Sequence, residues 1–144
     1  MQRPPECDNI GVEHGRWGED VAAAELRRKG YMIVERNVRP CIHDRRLEID
    51  IVAYDRESDA MVFVEVKQSS ERSPFQKRLR RIDKKKLRNL RRAFNAWRRF
   101  NRWNGAYRFD VVEVYGSPWS VRPVIDHIER VRMFAPPGRF VRWG

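Results

Sequence analysis

Two segments set the terms for any fold of this chain. LEIDIVAYD (47–55) and AMVFVEVK (60–67) are rich in β-branched residues and stand only four residues apart, so they read as an antiparallel hairpin turned at RESD. Side chains alternate between the faces of a strand. On the second arm Val62, Val64 and Val66 share one face, and Phe63, Glu65 and Lys67 share the other. On the first arm Ile49, Ile51 and Ala53 are expected on one face, and Glu48, Asp50, Val52 and Tyr54 on the other. Arms this apolar belong inside a sheet, where a charge is costly unless a partner answers it. Both arms nevertheless carry charges on one face.

The elements around the hairpin predict an α/β domain. A helix is expected from about Arg16 to Lys29, capped by Gly30, with Glu19, Ala22, Ala23 and Leu26 at the spacing of an inward stripe. YMIVERN predicts a strand, followed by a polar loop through Pro40. After the hairpin comes a second helix, on which Leu87, Leu90, Phe94 and Trp97 repeat at helical spacing, with Ile82 and Phe100 expected to extend the apolar side. YRFDVVEVY and SVRPVIDHI predict the last two strands. The expected architecture is a mixed central sheet flanked by helices, in the order α-β-β-β-α-β-β. Residues 1–10 are expected to be disordered, 11–130 to form one domain, and 131–144 to be a C-terminal tail. At 144 residues, such a domain can bury about 70% of the surface its unfolded chain exposes.

No apolar run approaches the roughly 18 residues of a membrane span, and MQRPPECDNI lacks the apolar stretch of a signal peptide. The expectation is a cytoplasmic protein with no membrane partner. Two cysteines without a C-x-x-C, and His14, His43 and His127 widely spaced, argue against structural zinc.

Charge is concentrated in one place. Between Arg72 and Arg102 there are fourteen basic residues against the single acid Asp83, a local charge of +13 in a chain whose net charge is +11. The remainder therefore carries −2. A run of nearly one sign repels itself and is best answered by a polyanion. Lys84, Lys85, Lys86, Arg88, Arg91 and Arg92 are the expected phosphate contacts, with DNA as the partner and RNA left open.

The hairpin charges can now be placed. Asp50 and Glu65 lie on neighbouring strands, Lys67 follows Glu65 by two residues, and Glu19 approaches from the first helix. Carboxylates converging with a lysine suit a hard divalent cation such as Mg²⁺ or Mn²⁺, which takes oxygen ligands and keeps several waters. In phosphodiester hydrolysis such an ion polarises the phosphoryl oxygen and lowers the pKa of an attacking water. E-x-K alone is common on exposed strands. The I-D one arm upstream, and the separate polycationic helix, make the set more specific.

The ordered segments GRWGEDVAAAELRRKGYMIVERN, LEIDIVAYD, VFVEVK, KKKLRNLRRAF and RFDVVEV resemble the small bacterial YraN-like proteins, the UPF0102 family, over about residues 11–130. That family is similar to the PD-(D/E)xK, restriction-endonuclease-like proteins and to archaeal Holliday-junction resolvases. The resemblance implies a nuclease-like domain in which Asp50 and Glu65 are metal ligands. Lys67 would position or activate the attacking water, Glu19 would be an auxiliary acid, and Glu48, within E-I-D, would support the metal. Leu47 stands where the family usually has Gly, and QSS follows E-V-K where a basic residue is usual; neither change removes a ligand. The implied activity is a Mg²⁺-dependent endonuclease on DNA, including branched or flapped DNA, in a chain that could act as a homodimer. The alternatives are a non-catalytic nucleic-acid-binding module, or a basic helix that docks on a partner protein or ribosomal RNA.

Overall fold

The structure is a computed structural model describing residues 8–70, 84–120 and 122–133. Within these the elements are α1 (Asp8–Arg28), β1 (Met32–Val38), β2 (Ile49–Asp55), β3 (Ala60–Ser69), α2 (Lys84–Phe100), β4 (Ala106–Tyr115) and β5 (Val124–Ile128). The sequence order is the one expected. The strands form a single sheet in the spatial order β1-β2-β3-β4-β5. β1–β2, β2–β3 and β4–β5 pair antiparallel, while β3 and β4 run parallel, joined through the segment that carries α2. Parallel neighbours need such a crossover.

Local chemistry sets the boundaries. Gly30, at φ +94°, ends α1: its N–H donates to the Arg27 carbonyl and the Tyr31 N–H reaches back to Leu26, each at 3.0 Å. The β2–β3 turn is tied by Asp55, whose carboxylate accepts from the Glu57 N–H at 3.1 Å and from Ser58 Oγ at 2.7 Å. β5 begins only after Pro123, which has no N–H to give a ladder.

Two apolar layers sandwich the sheet. On one face Ala22, Ala23 and Leu26 of α1 pack on Ile51, Ala53, Val62, Val64, Val112 and Val114. On the other, Leu90, Phe94 and Trp97 of α2 pack on Val52, Phe63, Phe109 and Val111. Phe63 anchors that layer, stacked on Phe94 with centroids 4.4 Å apart and edge-on to Trp97 at 5.6 Å. Val131 packs there too, its N–H bonded to the Phe109 carbonyl at 2.7 Å, so packing reaches past residue 130.

Several expectations change. α1 begins at Asp8, eight residues before Arg16, so residues 8–10 are helical rather than disordered. Phe100 does not extend the apolar stripe. Six residues after Phe94 a helix has turned about 240°, and Phe100 is left 84% exposed. Ile49 does not share a face with Ile51 and Ala53; it packs in the α2 layer with Leu47 and Val52. Ile82, residues 1–7 and the tail from 134 onward lie outside the described residues.

Candidate metal centre and its basic flank

The displaced Ile49 marks the place where the site is built. The β2–β3 ladder runs from Asp55↔Ala60 to Ile51↔Val64. One residue on, the Asp50 side chain enters the ladder, its Oδ2 accepting the Val66 N–H at 2.8 Å. A carboxylate thus takes the place a strand carbonyl holds elsewhere, and the strict alternation of faces ends there.

Across this break stands Glu65, only 4% exposed. Its Oε1 lies 3.1 Å from Lys67 Nζ and 3.4 Å from Lys86 Nζ. Burial first, then the Glu65 carboxylate and, more weakly, Glu19 and Glu48 drive the Asp50 carboxyl up to about 8, against the opposing pull of the Val66 N–H. Glu19 is also raised, by burial first; a hydrogen bond from Asn37 and the charge of Arg36 hold it down, while Glu48 and Asp20 push it up. Arg36 reaches Glu19 at 4.0 Å and Asp20 at 2.6 Å. Glu48, at the rim, faces Arg39 at 3.7 Å.

Glu19, Glu48, Asp50 and Glu65 therefore converge within electrostatic reach, and Lys67 stands beside the deepest of them. The donor set fits a hard divalent cation: all ligand atoms are carboxylate oxygens, and their crowding keeps Asp50 protonated near neutrality until added positive charge relieves it. Asp50 and Glu65 would hold the ion, with Glu48 and Glu19 at its edge. Glu113, also 4% exposed and level with Lys67 on the neighbouring strand, adds a buried acid that the sequence reading passed over. It accepts a hydrogen bond from the Tyr115 hydroxyl. Its signal was an acid two residues from Val111 on the same apolar strand face.

The cationic helix divides its charges. Lys84, Lys85, Arg88 and Arg92 are exposed on the outward side of α2. Arg92 also faces Asp44 at 3.6 Å, and Arg91 is half-buried. Lys86 departs from the expected phosphate face. It precedes Leu90 by four residues, so it borders the inward stripe, and that places it over Glu65.

A second polar cluster lies on the α1 face of the sheet. Asp110, His127 and Glu129 bring one potential ligand atom each within 4.8 Å of one another, a grouping that could hold a metal ion. Their atoms are already engaged. Asp110 Oδ2 meets His127 Nε2 at 2.8 Å, and Oδ1 accepts from Arg108 Nε at 3.1 Å and from the Arg130 N–H at 3.0 Å. Glu129 accepts from the Tyr31 hydroxyl at 2.8 Å. Burial opposes ionisation of Asp110, yet the His127 bond and the Arg108 guanidinium hold its carboxyl below the usual range. Two cations, Arg108 and Lys29, already neutralise the cluster. It is an ion-pair network that braces β4, β5 and the end of α1. Arg-x-Asp on an apolar strand was its trace in the sequence.

No helix among the described residues is long and apolar enough to cross a membrane. Residues 18–114 match the family model described as "Uncharacterised protein family UPF0102". The chain is 40% identical over 113 residues to a UPF0102 protein of Thermotoga petrophila, covering 78% of this chain and 91% of that one. It is 41% identical over 120 residues to a UPF0102 protein of Streptomyces griseus, covering 81% and 93%. A UPF0102 protein of Leifsonia xyli is 38% identical over 117 residues, covering 81% and 92%. The matched span contains Glu19, Glu48, Asp50, Glu65, Lys67 and all of α2.

Proposed function

This chain belongs to the UPF0102 family, and from its acidic cluster we propose that it is a divalent-metal-dependent endonuclease acting on DNA. The observation that carries the reading is the insertion of Asp50 into the β2–β3 break opposite Glu65, with Lys67 3.1 Å from Glu65. Buried carboxylates so crowded that one of them is driven to about 8 weaken a fold unless they serve a ligand. The restriction-endonuclease-like fold implied by the sequence resemblance agrees with the mixed sheet between two helices.

An ion held by Asp50 and Glu65 supplies Lewis-acid polarisation of the phosphoryl oxygen and a more acidic attacking water. The chain's own groups do the rest. Lys67, anchored by Glu65, is placed to orient that water and to steady negative charge growing on the phosphate. Glu19 and Glu48 hold the site's charge high, so that a divalent cation is favoured over a monovalent one. Lys84, Lys85 and Arg88 on α2 carry the backbone phosphates without reading bases.

The test is cleavage of labelled duplex, single-stranded, flapped and four-way DNA with Mg²⁺ or Mn²⁺, comparing wild type with Glu65→Gln. Metal-dependent cutting by wild type and loss in the variant is the expected result. Wild type that binds the DNA and cuts none of it, across both metals, overturns the enzyme and leaves a nucleic-acid-binding module. The exposed cations of α2 favour that second reading if the first fails.

A further inference from the structure

β3 and β4 run parallel, so both strands present their carboxyl ends at the end of the sheet that holds Glu65 and Lys67. In open α/β sheets this is the end at which ligands bind. The chain leaves β4 there through Gly116, and the exit is fastened to β3 just beyond Lys67. The Gly116 N–H donates to the Ser69 carbonyl at 2.9 Å, and Gln68 Nε2 donates to the Gly116 carbonyl at 2.6 Å.

The next four residues, Ser117-Pro118-Trp119-Ser120, form a tight turn. The Ser120 N–H bonds the Ser117 carbonyl at 2.8 Å, and Ser120 Oγ accepts the Ser117 N–H at 2.8 Å. Pro118 occupies the second position of this turn, where its fixed φ suits the bend. Gly116 itself sits at φ +129°, and a Cβ there would lie 2.9 Å from Ser120 Oγ and 3.5 Å from the Trp17 ring, so the turn is folded down on α1. At its corner stands Trp119, 72% exposed.

A single exposed apolar side chain is ordinary on a protein surface. This one differs in its mounting. The largest flat ring available to a protein is held on a proline-braced turn, three residues from the point where β4 is tied to the residue after Lys67. Three residues span no more than about 10 Å. A ring so held loses little conformational freedom when it binds. Flat, exposed and rigid aromatic groups beside a cationic groove are what unpaired bases stack on, whereas bases inside an intact duplex present no free face.

We propose that Trp119 is a base-stacking residue of the candidate active site, and that it selects DNA carrying an unpaired base next to the phosphate held there. The inference rests on the endonuclease reading for its location and deepens it by naming the substrate class as forked, flapped or gapped DNA. Trp119 lies beyond the matched family span of 18–114, so the preference belongs to this chain's own turn.

The experiment measures binding without divalent ion, so that cleavage cannot confound it. Affinities of wild type, Trp119→Ala and Trp119→Phe are compared on a forked duplex and on a blunt duplex of the same length, at one low salt concentration. Wild type should prefer the fork. Trp119→Ala should lose about 10- to 100-fold on the fork, the worth of one stacked base, and less than about twofold on the blunt duplex. Trp119→Phe should keep most of the preference, because it keeps a ring. Unchanged melting temperature in both variants confirms that the turn is intact. Equal losses on the two substrates, no loss on either, or a wild type without preference for the fork overturns the proposal. A chain that binds forks through Trp119 yet cuts nothing upholds the stacking and overturns only the endonuclease reading. Wild type that binds neither DNA overturns both.

Discussion

Replacing Asp50 by Asn should stabilise the metal-free protein, increasingly so as pH rises. The carboxyl stands at about 8 in the folded chain against 3.8 for an unperturbed aspartate. Between those values the folded state holds a proton that the unfolded state has released, so stability falls as pH increases through that window. Below about pH 4 both states are protonated and the penalty vanishes. Above about pH 8 the penalty is complete. At about 1.4 kcal/mol per pKa unit, the step from pH 5.5 to pH 8 could reach about 3 kcal/mol, and the residual solvent access of Asp50 reduces this to about 2 kcal/mol. Asn removes the ionisation while keeping an oxygen that can accept the Val66 N–H. Its stability advantage over wild type should therefore widen by about 2 kcal/mol, or about 4–8 °C in melting temperature, between pH 5.5 and pH 8.5. Divalent ion should reverse the order at pH 8.5. Wild type gains about 2.7 kcal/mol when the ion is present at a hundred times its dissociation constant, and the variant gains little. Thermal melts at the two pH values, with chelator and with Mn²⁺, measure all four quantities. A pH-independent gap, or equal stabilisation of both proteins by Mn²⁺, refutes the reasoning that Asp50 is a crowded carboxylate waiting for a cation.

Other positions separate catalysis, binding and structure. Glu65→Gln should reduce metal-dependent cleavage by at least about 100-fold while DNA affinity measured in chelator holds or rises, because a repelling charge has gone. Changing Lys84, Lys85 and Arg88 together to Gln should flatten the slope of log affinity against log salt by about two to three units; an unchanged slope removes α2 from the phosphate interface. Asp110→Ala should cost about 3–5 kcal/mol in chemical denaturation, since it strands the Arg108 guanidinium, and should leave Mn²⁺ affinity unchanged; weaker Mn²⁺ binding would place a metal in that cluster instead. Phe63→Ala should cost about 3–5 kcal/mol by emptying the stack on Phe94 and Trp97, with a loss below about 1 kcal/mol contradicting its role as anchor of the α2 layer.

Features written in a single period were legible in the sequence. The hairpin follows from two alternating runs and a four-residue connection, and α2 from the spacing of Leu87, Leu90, Phe94 and Trp97. Glu65 and Lys67 could be assigned to one face for the same reason. Alternation misled at Ile49, because its face depends on where the β2–β3 ladder ends, and that end is set by the Asp50 carboxylate bonding across strands to Val66. The early start of α1 was missed because residues 8–15 carry no continuation of the Glu19, Ala22, Ala23, Leu26 stripe. Phe100 was misplaced by extending a stripe one turn past its packing partners. The Arg108–Asp110–His127 network joins β4 to β5 and reaches Tyr31, so no local window contains it. Lys86 looked like its neighbours in a uniformly basic run. Only its angle on the helix distinguishes it.

That angle connects the two halves of the molecule. Four carboxylates gathered at one end of a sheet repel the polyanion they are proposed to cut, and at close range this repulsion exceeds what Lys67 alone can offset. The chain answers by loading +13 onto residues 72–102, against −2 elsewhere, and by laying α2 on the same sheet face as Glu65. The outward cations of the helix raise the local concentration of phosphate, while Lys86, 3.4 Å from Glu65, lowers the negative field where the phosphate must come to rest. Neither part suffices alone. The acids without the helix would meet no DNA, and the helix without the acids would bind DNA and leave it whole. Their meeting at Lys86 and Glu65 is the physical reason to regard the cationic helix and the acidic cluster as one site.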